Sequence, residues 1–143
     1  MKAPIIAAAL AALALPAAAG EYNTGYFGNV AIEGYDTVAY FDGTATPGNP
    51  EITYEWEGAV WRFSNAENRD RFIANPAAYA PQFGGLCTEG VAYGEISANL
   101  TPTVFEIVDG KLYLNYSTYW MDLNGNLPKS EANWPKVHAL LAE

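Results

Sequence analysis

Ile52-Thr53-Tyr54-Glu55-Trp56-Glu57-Gly58-Ala59-Val60-Trp61-Arg62-Phe63-Ser64-Asn65-Ala66-Glu67 decides the fold class. Its first five residues alternate with period two, the pattern of a half-buried strand. Glu57-Gly58 reads as a two-residue turn, and Ala59 to Phe63 as the returning strand. That register pairs Trp56 with Ala59, Tyr54 with Trp61 and Ile52 with Phe63 on one face, leaving Thr53, Glu55 and Arg62 on the other. The period then changes. Ser64-Asn65-Ala66-Glu67 has the form of a capping box, with Ser64 as the N-cap. Glu67 and Arg71 follow at helical spacing, and Asn75-Pro76 supplies a stop.

Downstream, Phe105-Glu106-Ile107-Val108 and Lys111-Leu112-Tyr113-Leu114 flank Asp109-Gly110, whose residues suit a type I′ turn. This predicts Ile107 opposite Leu112 and Phe105 opposite Leu114 on one apolar face, with Glu106 and Lys111 on the other. A last helix is predicted from near Ser130 towards Leu141, disturbed at Pro135. The stretch holding Gly84, Gly85 and Gly90 reads as too glycine-rich for regular structure. The sum is a small single α+β domain of antiparallel β-hairpins packed with short helices.

Upstream lies a different kind of segment. Lys2, an apolar run from Ile5 to Leu15, Pro16 and Ala17-Ala18-Ala19 have the layout of a secretory signal peptide, residues 1–19, with the domain at 20–143. The run is shorter than the roughly 20 residues that span a bilayer. A periplasmic or secreted protein is expected, with no membrane association after leader cleavage. Cleavage after Ala19 leaves 124 of the 143 residues, and loss of Lys2 takes the formal charge from −9 to −10. Such an acidic chain repels phosphate backbones, which argues against nucleic-acid binding.

One Cys and one His limit the chemistry. An internal disulfide and a multi-Cys zinc site are excluded. Cys87, in Phe83-Gly84-Gly85-Leu86-Cys87, reads as an inert buried thiol, a soft-metal ligand or an intermolecular partner. Cys87, Met121 and His138 would suit copper by softness, although no spacing joins them. A Cys87–His138 catalytic pair would need the fold to unite positions 51 apart and a third orienting group. No phosphate-binding loop, dinucleotide fingerprint or nucleophile elbow occurs. The four Trp, ten Tyr and six Phe leave Tyr35, Tyr93 and others unplaced by any period, which opens an aromatic pocket beside Gly84, Gly85 and Cys87.

Gly34-Tyr35-Asp36-Thr37-Val38-Ala39-Tyr40-Phe41, the run from Trp61 to Phe72, Asn75-Pro76 onward to Gly85, Ile107 to Tyr116, and Ala132-Asn133-Trp134-Pro135 together resemble the YHS domain family, in its exported bacterial branch. The likeness covers about residues 28 to 137. It implies a small α+β domain and a metal-binding ancestry shared with TRASH-type modules, whose ligand positions align with Ala39, Ser64 and Asn68. None of these is a thiolate, so the resemblance carries the fold and not the metal site.

The sequence therefore predicts an exported, YHS-like, non-enzymatic binding domain, with a soft ion such as copper at Cys87, aided by Met121 or His138. The alternatives are a small-molecule binder with an aromatic pocket formed by Gly84, Gly85, Cys87, Tyr35 and Tyr93, a thiol-dependent enzyme, or a subunit whose partner is another protein.

Overall fold

Glu57 and Gly58 both take positive φ, 50° and 73°, which is the type I′ geometry that matches the twist of a tight hairpin. They join β1 (Asn49–Trp56) to β2 (Ala59–Phe63). Trp56 pairs with Ala59 and Tyr54 with Trp61, as the alternation requires. Ile52 does not pair with Phe63. The register breaks beyond Thr53, and Phe63 faces Asn49 instead. Two local features account for the break. Pro50 has no N–H to give the ladder, and the Asn49 side chain accepts from the Glu51 N–H at 2.9 Å, curling the chain out of it. Ala59, Trp61 and Phe63 are buried, as expected of one face.

The computed structural model describes residues 21–25, 28–117 and 123–143. The expected leader and Met121 lie outside the described residues. Besides the first hairpin, the elements are α1 (Thr37–Phe41), α2 (Ala66–Ala74), α3 (Pro76–Tyr79), α4 (Thr88–Ala92), β3 (Phe105–Val108), β4 (Lys111–Leu114) and α5 (Leu123–Leu140). The fold is α+β, with two separate antiparallel hairpins. Among the described residues, no helix is long and apolar enough to cross a membrane.

The start of α2 differs from the capping-box expectation. Asn65 is the cap, its side chain accepting from the Asn68 N–H at 2.7 Å, because Ser64 is turned towards Asp36. Arg71 reaches Asp42 at 3.1 Å and lies over the Tyr79 ring, so its acidic partner is Asp42 across the fold rather than Glu67 one turn back. Pro76 stops α2 and opens α3, as read. Gly90 sits inside α4, not in a loop: α4 is held by Thr88 Oγ1 donating to Leu114 O and by Ser130 Oγ donating to Thr88 O. The last helix begins earlier than Ser130 and runs through Pro128 as well as Pro135.

The second hairpin has the predicted register, with Asp109 and Gly110 at φ 51° and 74°. Its faces differ from the prediction. Leu112 and Leu114 enter the larger core with Ile32, Val38, Tyr40, Trp61, Phe63 and Phe72. Tyr113, between them, points into a second cluster with Phe83, Leu86, Val91 and Val137. β4 is thus the common wall of two apolar clusters. Ile107, on the neighbouring strand, is left exposed.

Two left-handed turns pack against each other. Ile32, Glu33 and Gly34 have φ 51°, 52° and 79°; Phe83, Gly84 and Gly85 have 55°, 60° and 75°. Residues 21–25 run between them as a strap. Buried Asn23 donates its N–H to Gly84 O at 2.7 Å and its amide to Gly85 O and Ala98 O, while its own carbonyl accepts from the Ile32 N–H. One asparagine therefore ties both turns and the loop before β3.

Candidate functional site

Three places hold chemistry-bearing side chains. The first is a fully buried carboxylate. Asp36 caps α1, its Oδ1 accepting from the Val38 and Ala39 N–H groups at 2.9 and 3.2 Å. Its Oδ2 accepts from the Ser64 N–H at 2.8 Å, the Ser64 hydroxyl at 2.7 Å and the Asn68 amide at 2.8 Å. The three positions aligned with metal ligands, Ala39, Ser64 and Asn68, thus meet around Asp36. They do not fit a metal: a methyl group, and a hydroxyl and an amide already donating to the carboxylate. Five donors leave Asp36 no free lone pair to offer, and the arrangement acts as a clamp between α1 and the start of α2.

The second place is a cleft of about 290 Å³ beside Gly84, walled by Tyr22 from the strap, Phe83 from the turn and Trp134 from α5. Glu21 and Gln82 supply its polar side chains. Gly84 is required there by shape as well as by its positive φ, since a Cβ would lie 2.6 Å from Glu21 O. Trp134 packs on Phe83 with ring centroids 5.5 Å apart and on His138 at 5.2 Å. His138 Nε2 is 3.5 Å from Glu21 Oε2, and both side chains are half-exposed. Burial, with the charges of Glu21 and Glu57, pushes the Tyr22 hydroxyl up to about 12, so its ring is an uncharged wall at neutral pH.

The third place is a smaller hollow of about 190 Å³ at Cys87 and Tyr93. Cys87 is 4 % exposed, and its thiol donates to Asn115 Oδ1 at 3.8 Å. The side-chain partner of the thiol is an amide oxygen, and no His, Asp or Glu side chain contacts it among the described residues, so the pair needed for nucleophilic attack is not assembled there. Cys87 belongs to the larger core, whereas His138 lies at the strap against Glu21. Among the described residues no three His, Cys, Asp or Glu side chains converge as metal ligands.

The expected ligand-binding residues separate accordingly. Gly84 lines the larger cleft; Cys87 and Tyr93 line the hollow; the two cavities have no lining residue in common. Gly85 is a packing position, where a Cβ would overlap Ile32 Cδ1. Tyr35 bridges to Pro47 and packs on the core. Sequence reasoning missed Asp36, Asn23, Tyr22 and Trp134. Only Asp36 carried a local signal, as an acidic N-cap before Thr37-Val38-Ala39. In comparisons with known proteins, no family model, curated protein or solved structure matches the chain.

Proposed function

We propose that the chain is an exported, YHS-like, non-enzymatic domain that binds a small organic molecule in the cleft beside Gly84, in the periplasm or outside the cell. The observation that carries this reading is the convergence of Tyr22, Phe83 and Trp134, from the two ends and the middle of the chain, on one cleft close to the lower size limit of ligand sites. Two features add support. Phe83 is held in left-handed backbone, a conformation that costs a non-glycine residue about 1–2 kcal/mol and is retained where something depends on it. The lining contains one carboxylate and no cationic side chain, which favours a neutral, planar, hydrogen-bonding ligand over an anion.

The test is native mass spectrometry of the mature protein recovered from the periplasm, beside Trp134→Ala and Gln82→Ala. An organic adduct on the wild type that both variants lose, while Gln82→Ala keeps the wild-type melting point and Trp134→Ala stays folded at the working temperature, is the expected result. A bare mass, together with no shift of the Trp134 indole resonance across a library of small planar heterocycles, overturns the reading. A metal adduct lost in Cys87→Ser would replace it with the soft-metal alternative.

A further inference from the structure

The chain has one histidine, and it stands behind the cleft beside Gly84. His138 lies in the last turn of α5, and its ring packs on Trp134 with centroids 5.2 Å apart. Its Nε2 is 3.5 Å from Glu21 Oε2. Trp134 and Glu21 both wall the cleft, one from α5 and the other from the strap. The strap itself is narrowly held. The hydrogen bonds that tie it to the two left-handed turns all come through Asn23, two residues from Glu21. Tyr22 adds ring contacts with Trp56 and Trp61. The Glu21 side chain has His138 as its one ion-pair partner among the described residues.

We infer that His138 and Glu21 form a proton-operated latch: the protonated imidazole draws the strap shut over the front of the Gly84 cleft, and the neutral imidazole lets it open. Histidine is the side chain that changes charge between about pH 5 and 8. The protonated ring always has a proton on Nε2 and a charge to offer Glu21. The neutral ring has that proton in only one of two tautomers, and no charge. His138 has two further neighbours that interact with a cation, the Trp134 face and the carbonyl end of α5. Neither moves with the strap, so only Glu21 links protonation to opening. The closed strap then holds the proton more tightly than the open one, so closure is favoured at low pH and lost as pH rises through the imidazole titration. Other charges lie elsewhere. The strap carries Tyr22, uncharged at neutral pH and under the charge of Glu57. The Ser130 and Asn133 face of α5 meets α4, which brings Glu89; Val137 meets Tyr113 of β4, the strand that also carries Lys111. Along α5, Lys136 approaches Gly94 and the charge of Glu131 acts on Tyr113, while Glu143 follows the helix end. Among the described residues, Glu21 alone makes an ion pair with His138. As a control on ligand release, the latch rests on the cleft being a binding site; as a property of the strap it does not.

Amide hydrogen exchange of the mature, ligand-free protein tests this, at about pH 5.5 and about pH 8, with each rate corrected for the intrinsic rate at that pH. The reporters are the Asn23 and Ile32 N–H groups, which donate to Gly84 O and Asn23 O. The buried amides of β4 serve as the internal reference. A half-exposed pair is a weak one, so the strap should be about two- to fivefold better protected at the lower pH, with β4 unchanged. In His138→Gln and in Glu21→Gln that ratio should fall to about one. Both side chains are half-exposed, so the variants keep the fold. The α-amino group that cleavage after Ala19 creates is next to Glu21 in sequence and titrates in the same range. It is present in His138→Gln, so a ratio that survives there belongs to it and overturns the latch. A ratio that survives in Glu21→Gln places the effect at Trp134 or the helix end, and also overturns it. So does a wild-type ratio of one, a ratio of the opposite sense, or a parallel change in β4, which would be global stability. A bare native mass would remove the ligand of the cleft and leave these exchange ratios untouched, so the two failures are separate results.

Discussion

Thr37 and Asp36 are adjacent, both fully buried, and opposite in their consequences. Asp36 is satisfied by five donors, two of them from its own helix and three from Ser64 and Asn68. Asp36→Asn puts an NH₂ among donors and removes the charge that strengthens each bond. Hydrogen bonds to charged groups contribute about 1.5–3 kcal/mol, so a loss of about 3 kcal/mol in urea unfolding is expected. A loss below about 1 kcal/mol would mean that α1 and α2 are joined by apolar packing alone. The Thr37 hydroxyl, by contrast, has no hydrogen-bond partner among the described residues. Thr37→Val keeps the shape and removes a stranded polar group, and is expected to be neutral or to stabilise by about 1 kcal/mol. Clear destabilisation would show that the hydroxyl does find a partner in solution.

At the scale of elements, the left-handed turn at residues 83–85 is a place where one added methyl group does clear harm. Gly85→Ala combines a positive φ with a Cβ that collides with Ile32 Cδ1. Its expected cost exceeds about 2 kcal/mol, read as a lower urea midpoint. Gly110→Ala, at a similar φ but with open space around its Cβ position, isolates the backbone share of that cost and is expected to lose only about 1 kcal/mol. The same contrast between local and remote causes explains what the sequence could reveal. Both hairpin turns and their adjoining registers were legible because period-two alternation and Glu-Gly or Asp-Gly dipeptides act over a few residues. The N-cap of α2 was misread because the Ser64 hydroxyl is claimed by Asp36, 28 positions away. Burial of both faces of β4 was hidden because the second face is covered by residues as distant as Val137. Gly84 could be picked out at the cleft from its glycine pair; Tyr22 and Trp134 could not, since no spacing relates residue 22 to residue 134.

For the molecule as a whole, three phenols, two buried and one half-buried, couple stability to alkaline pH. Tyr22 is pushed up to about 12, and burial also raises Tyr40 and Tyr113. Tyr40 in addition donates its hydroxyl proton to Pro102 O. In the unfolded chain these groups ionise near about pH 10. The folded state then holds protons that the unfolded state has released, so stability is intact below pH 10 and falls as pH rises from there. Urea midpoints at successive pH values should fall through this window, and Tyr22→Phe should flatten the fall. A midpoint that stays level in the wild type would show that the rings are wetter than their packing implies. The strap bears on the molecule in another way, through time. The bonds of Asn23 to Gly85 and Ala98 join positions 62 and 75 apart, whereas each hairpin closes within about a dozen residues. Closing a long loop costs more entropy than closing a hairpin, and segments held by few contacts open ahead of the core. Amide protons of Asn23 and Ile32 should therefore exchange ahead of those in β2 and β4. The Gly84 cleft then has a back that persists as long as the domain does and a front, Glu21 and Tyr22, that comes and goes with the strap, so the residence time of anything held there is set by the first few residues of the folded chain.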